Sequence, residues 1–155
     1  MSQQVVLIRH AKSSWRHDVA DHLRPLKLRG YQAAEIMAQR HILRDAMPDI
    51  ILSSPAVRAY TTASSLIAEL QLESGLLVVE PSLYPGDAKA LLALIKQRRE
   101  SRIWLVGHNP AMHELAELLA GEAIEAFPTL AVATFEISQD SHRLIAFDYP
   151  KNTEL

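Results

Sequence analysis

Apolar and polar positions along the chain follow two rhythms. Residues 4–9 carry the unbroken run Val5-Val6-Leu7-Ile8, which stops on Arg9 and His10. A run of this kind predicts a strand buried on both faces. Residues 10–26 show no period and predict a loop. From 27 to 44, Leu28, Ala33, Ala34, Ile36, Met37, Ala38 and Ile42 recur at helical spacing. Asp49 to Leu52 reads as a second short strand. Ser53-Ser54 followed by Pro55 is a helix-start signal, with the helix running to about Leu70. Leu76 to Glu80 predicts a third strand, Tyr84-Pro85-Gly86-Asp87 a turn, and 88–99 a third helix. A fourth strand is expected over 102–107. His108-Asn109-Pro110 then opens a helix reaching about Ala120, as a cap followed by proline. Residues 130–138 and 142–149 alternate around a Gln-Asp-Ser turn and predict an antiparallel hairpin. Residues 151–155 read as a loose tail.

The order βαβαβαβαββ predicts an α/β fold: a three-layer α/β/α sandwich with a mainly parallel sheet and a C-terminal antiparallel hairpin. At 155 residues the chain is expected to form a single domain, 1–155, and its 48% hydrophobic content supplies a sizeable core. The net charge of −2 argues against a nucleic-acid surface. The one basic run, Lys96, Arg98, Arg99 and Arg102, reads as a solvated helix end. There is no cysteine, which excludes disulfides and thiolate metal sites. No stretch approaches the ~20 apolar residues of a membrane span, and no signal peptide is visible. A cytoplasmic protein with no membrane association is the expectation.

Ligands of parallel α/β sheets bind beyond the carboxyl ends of the strands. Three such ends carry reactive groups: Arg9-His10, Ser53-Ser54-Pro55 with Arg58 one turn on, and Gly107-His108-Asn109-Pro110. Singly, His10 or His108 could be structural. Arg58 is less easily dismissed, because a cation is disfavoured in a first helical turn. Together they describe an anion site, with helix N-termini and forked guanidinium donors around a histidine that can act as nucleophile or proton carrier. His113, His17, His22, His41 and His142 read as packing or surface residues. H-N-P-A-M-H lacks the i, i+4 pair of a zinc helix and H-E-x-x-H is absent, so no metal site is expected.

The stretches LIRHAKSSW, RPLKLRG, LSSPAVRAYTTA, LYPGD, LVGHNP and FPTLAVATFEI resemble the histidine phosphatase superfamily, and within it the short SixA-type phosphohistidine phosphatases. The likeness runs from the first strand to about residue 149. It implies a metal-independent phosphatase with no cofactor. His10 would be the nucleophile that takes the phosphoryl group. Arg9, Arg58 and His108 would form the phosphate pocket, with Asn109 adding backbone donors and Arg24 as a further candidate. Where larger relatives place an acidic residue after the third strand, this chain has Ser82, leaving Glu80 and Asp87 as candidate general acids. Either carboxylate can equally be structural, Glu80 ending a strand and Asp87 capping a helix. No insertion is long enough to form a lid, so an open pocket is expected.

Phosphohistidine on a protein is therefore the expected substrate. The alternatives are a small phosphate ester or nucleotide, and, in another class, an inactive phosphate-binding module.

Overall fold

The structure, a computed structural model, describes residues 2–153. A six-stranded sheet forms its centre. In chain order the strands are β1 (Gln3–Arg9), β2 (Ile50–Ser53), β3 (Leu77–Val79), β4 (Arg102–Gly107), β5 (Val132–Ile137) and β6 (His142–Asp148). Their order across the sheet is β3-β2-β4-β1-β5-β6. The first four are mutually parallel, β5 runs antiparallel to β1, and β5 and β6 form the antiparallel C-terminal pair. This is the α/β sandwich that the order of elements predicts.

The helices are α1 (Leu28–Ala38), α2 (His41–Arg44), α3 (Val57–Leu70), α4 (Ala88–Gln97) and α5 (Ala111–Ala120). Strand side chains alternate between faces, so each central strand feeds two cores. Val5, Leu7, Ile103 and Leu105 pack with Leu91, Ile95, Leu115 and Leu119 from α4 and α5. Val6, Ile8, Trp104 and Val106 pack with Ala34, Met37, Ala63 and Leu66 from α1 and α3. Burial on both faces is why β1 and β4 read as unbroken apolar runs. Truncating one of these fully buried leucines to alanine would cost about 2–5 kcal/mol. Among the described residues, no helix is long and apolar enough to cross a membrane.

Four sequence expectations shift. The helix expected over 27–44 breaks after Ala38, where Arg40 turns extended. The cause is tertiary: the Arg40 guanidinium donates to Asp148 Oδ1, the Tyr149 carbonyl and the Pro150 carbonyl, tying the chain to the end of β6. Helix α3 begins at Val57 with Ala56 as its cap, so Pro55 lies in the approach to the helix rather than inside it. Pro110 likewise sits at the cap position of α5, with Asn109-Pro110 cis, and Asn109 turns its side chain elsewhere. Of the expected tail, Pro150–Thr153 forms a 3-10 turn, and residues 154–155 lie outside the described residues. In the basic run, Arg98 forks onto Glu100 at the end of α4.

The RPLKLRG stretch has a packing explanation. A Cβ at Gly30 would stand 2.5 Å from the Lys12 carbonyl oxygen, so only glycine lets α1 lie this close to the segment that follows His10.

Candidate active site

Strand order creates the site. β4 lies between β1 and β2, with Arg9 level with Gly107 and Ser53 level with Val106. The three strand ends are therefore neighbours, and the residues just beyond them meet. The imidazoles of His10 and His108 stand 5.1 Å apart, centroid to centroid.

His10 is held from several sides. Its backbone N–H donates to the Gly107 carbonyl, and the Leu130 N–H is shared between the carbonyls of Arg9 and His10. Leu130 adopts a left-handed φ of 57° at this junction. The Ala11 N–H donates to Thr62 Oγ1, whose hydroxyl donates to the Arg58 carbonyl. This is the physical content of the R-A-x-x-T spacing: Thr62, one turn past Arg58, ties the helix to the segment that follows His10. His10 Nδ1 lies 2.7 Å from the Ala11 carbonyl. A carbonyl only accepts, so Nδ1 carries the proton and Nε2 keeps its lone pair. Burial pushes the His10 pKa down to about 3; the neighbouring His108, Arg9 and Arg58 push the same way, against the Ala11 bond. His10 is therefore neutral at pH 7.

His108 is also neutral, its pKa lowered to about 4 by burial and then by Arg58, with Asp21 opposing. Its Nε2 lies 2.7 Å from Ser54 Oγ, which also accepts the Ala56 N–H. Its Nδ1 is buried with no partner among the described residues.

Arg9 donates through one terminal nitrogen to the Phe127 carbonyl, which also accepts from Asn109 Nδ2. Burial lowers the pKa of Arg9. Arg58 donates to both the carbonyl and Oδ2 of Asp21. In each arginine Nε is buried and unpartnered among the described residues. Buried donors left unsatisfied are costly. Three of them, on Arg9, Arg58 and His108, belong to the residues the sequence assigns to an anion pocket, and phosphoryl oxygens are the acceptors they suit.

Arg24 stands one step back. It donates to Asp21 Oδ1, to Ser13 Oγ and to the Ser14 carbonyl, and its guanidinium stacks 3.4 Å from the Trp15 ring centroid. Glu80 accepts from the backbone and hydroxyl of Ser82. Asp87 caps α4 by accepting the Ala90 N–H. Among the described residues neither makes a hydrogen bond or ion pair with the imidazole pair. His113 bonds the Ile124 carbonyl, a packing role as expected.

Among the described residues the carboxylate bonded to the site's arginines is Asp21, in the loop that shows no sequence period. It binds Arg58, Arg24 and the Tyr84 hydroxyl together. The Tyr84 bond and the two arginines hold its pKa well below the usual carboxylate range. Asp21 in turn raises the Tyr84 pKa. The Tyr84 ring meets His108 edge-on at 5.3 Å. Asp21, Tyr84 and Ser54 are the site residues that sequence reasoning missed. The i, i+3 spacing of Asp21 and Arg24 was the only signal for the first.

Comparison with known proteins fits this geometry. The profile of the histidine phosphatase superfamily (branch 1) matches residues 5–79. An uncharacterised chloroplastic protein of Arabidopsis thaliana is 32% identical over 137 residues, 81% of this chain; the chain spans 62% of that protein's length. A solved SixA, a protein histidine phosphatase complexed with tungstate, is 25% identical and superposes with a TM-score of 0.86, covering 98% of this chain and 100% of that one. SixA from Agrobacterium tumefaciens is 33% identical, with a TM-score of 0.83 over 96% of this chain and 98% of that one. With 33% identity to the Agrobacterium SixA over nearly the whole of both chains, the chain belongs to the histidine phosphatase superfamily, in its SixA-type branch.

Proposed function

We propose that this protein removes the phosphoryl group from phosphohistidine on another protein, through a covalent intermediate on His10, and that residues 1–155 act as one catalytic domain. The observation that carries the reading is the locked tautomer of His10 beside three unpartnered buried donors. Nε2 of His10 attacks phosphorus, and the N–P bond to the substrate imidazole breaks as the new N–P bond forms. The departing imidazole keeps the electron pair and leaves neutral, its other ring nitrogen already protonated. Arg9 Nε, Arg58 Nε and His108 Nδ1 donate to the phosphoryl oxygens, stabilising charge as phosphoryl transfer requires. Water then attacks phosphorus, its proton passes to the phosphate or to solvent, and His10 regains its lone pair. Arginines supply the charge that a divalent ion supplies elsewhere, so turnover proceeds without metal.

The substrate class follows from the leaving group. An alkoxide needs a proton donor, help worth typically 10²–10⁴-fold. Imidazole, with a reference pKa of ~6.5, leaves without one. Asp21 stays ionised and has no proton to give. Glu80 and Asp87 are occupied by Ser82 and Ala90. The SixA complexed with tungstate, a protein histidine phosphatase, supports the same reading. Steady-state kinetics on a phosphohistidine peptide and on alkyl phosphate monoesters test it, and the peptide should show the higher kcat/KM. A preference for esters that disappears in Glu80→Gln or Asp87→Asn would assign the protein to small phosphate esters instead. Absence of turnover on every substrate, p-nitrophenyl phosphate included, would leave a phosphate-binding module.

A further inference from the structure

Two grooves of about 580 and 600 Å³ flank the catalytic segment, and neither is lined by His10 or His108. They meet at Arg29, which lines both. Five cations line them in all: Lys12, Arg16, Lys27, Arg29 and Lys151. Every one is exposed. Among the described residues none of the five joins an ion pair, and no carboxylate lines either groove. This is unexpected on a chain whose net charge is −2. Cations spread by chance over such a surface would meet acidic neighbours.

The grooves also carry exposed apolar surface. Leu28 is 72% exposed in one and Ile36 is 43% exposed in the other. Trp15, which precedes Arg16, is 75% exposed and backed by the Arg24 guanidinium. A rigidly backed exposed tryptophan beside arginines matches the composition of protein-binding hot spots. Both grooves adjoin the site through the backbone. Lys12 lies two residues past His10, and its carbonyl accepts the Lys27 N–H. Pro128 and Thr129 in the first groove sit between Phe127, whose carbonyl binds Arg9, and Leu130, whose N–H binds His10.

We infer that this cationic, apolar-floored face docks the substrate protein, and that the partner presents its phosphohistidine within an acidic surface. The inference rests on the phosphohistidine reading above and names the class of protein that carries the group. Opposed charges mainly raise the rate of encounter and select the partner, so the face governs kcat/KM on proteins and is silent toward small phosphates.

Two synthetic phosphohistidine peptides, one flanked by glutamates and one by lysines, test this on the wild-type protein. The glutamate peptide should have a kcat/KM roughly tenfold higher at low salt, and the gap should close by about 0.5 M salt. In the exposed double variant Arg16→Glu/Arg29→Glu the preference should vanish or reverse, with turnover of p-nitrophenyl phosphate unchanged. Equal cleavage of both peptides by the wild type, or a preference that survives the double variant, would overturn the docking inference and leave the phosphohistidine activity standing. Cleavage of p-nitrophenyl phosphate with neither peptide cleaved would overturn the phosphohistidine reading, and this inference with it.

Discussion

The hydroxyl of Ser54 lies 2.7 Å from Nε2 of His108 and also accepts the Ala56 N–H, at 3.1 Å. Ser54 is fully buried, and His108 Nε2 is the one acceptor within reach of its hydrogen among the described residues. A buried hydroxyl hydrogen left unused would be costly, so Ser54 donates to Nε2. Neutral His108 then carries its proton on Nδ1, the nitrogen with no other partner. In the proposed mechanism Ser54 is in this way a positioning residue, holding His108 in the tautomer that donates to phosphate. Ser54→Ala frees the ring to adopt the other tautomer. The expected outcome is a folded protein with kcat reduced roughly 10²-fold, the lower end of what losing one aligned donor to a transition state costs. Ser54→Thr, which keeps the hydroxyl, should recover most of the loss. Wild-type rates in Ser54→Ala would show that His108 does not depend on this bond.

His10→Ala should abolish turnover, by at least ~10³-fold, while circular dichroism and thermal unfolding show an intact fold. Arg58→Lys makes a finer test. Arg58 uses its terminal nitrogens on Asp21 and keeps Nε buried for another acceptor. An ammonium cannot serve both directions at once. Arg58→Lys should lose about 10²-fold in kcat/KM. Full activity would remove Arg58 from phosphate recognition.

Asp21 separates two roles for a carboxylate in this site. As the anchor of Arg58 and Arg24 it sets geometry. As an acid it would donate to a leaving group. Its depressed pKa favours the first. Asp21→Asn keeps the backbone carbonyl contact to Arg58 and loses the charged ones. The expected result is a KM for phosphate substrates raised several-fold, with phosphohistidine and ester substrates affected alike. A loss confined to esters, with a change in the basic limb of the pH profile, would make Asp21 a proton donor.

The parts of this protein that were legible in its sequence are those encoded locally. Val5 to Ile8 announced a doubly buried strand; Arg9-His10 and His108 stood out at strand ends, and Arg58 as a cation in a first helical turn. The superfamily resemblance rested on these stretches together with RPLKLRG, LYPGD and FPTLAVATFEI. What was hidden depends on contacts between distant segments. Asp21 lies in a stretch without period, and its three partners come from residues 24, 58 and 84. Ser54 read as a helix cap, yet its hydroxyl reaches 54 residues along the chain to His108. The break after Ala38 has no glycine or proline to announce it, and comes from Arg40 bonding the end of β6. Local propensity cannot report a bond whose partner lies a hundred residues away.

The two neutral imidazoles also set how stability depends on pH. Their folded pKa values, about 3 for His10 and about 4 for His108, lie below the ~6.5 expected of an unfolded histidine. Between those limits the unfolded chain binds protons that the folded protein refuses. Stability therefore rises with pH in this window, is complete above about pH 6.5, and is lost as pH falls toward 4. Each imidazole contributes a slope of at most about 1.4 kcal/mol per pH unit. Urea unfolding at intervals from pH 7.5 to 4.5 measures the slope. His10→Gln, which keeps a polar side chain and cannot titrate, should flatten the curve by about one proton while leaving the upper plateau in place. A wild-type midpoint that is flat from pH 7 to 4.5 would mean that these histidines charge freely in the folded state. The neutral Nε2 nucleophile would then be confined to pH values above 6.5. With burial holding both imidazoles neutral, His10, the proposed nucleophile, should remain competent well into the acid range, so the acid limb of kcat/KM assigned to the free enzyme should fall below pH 5.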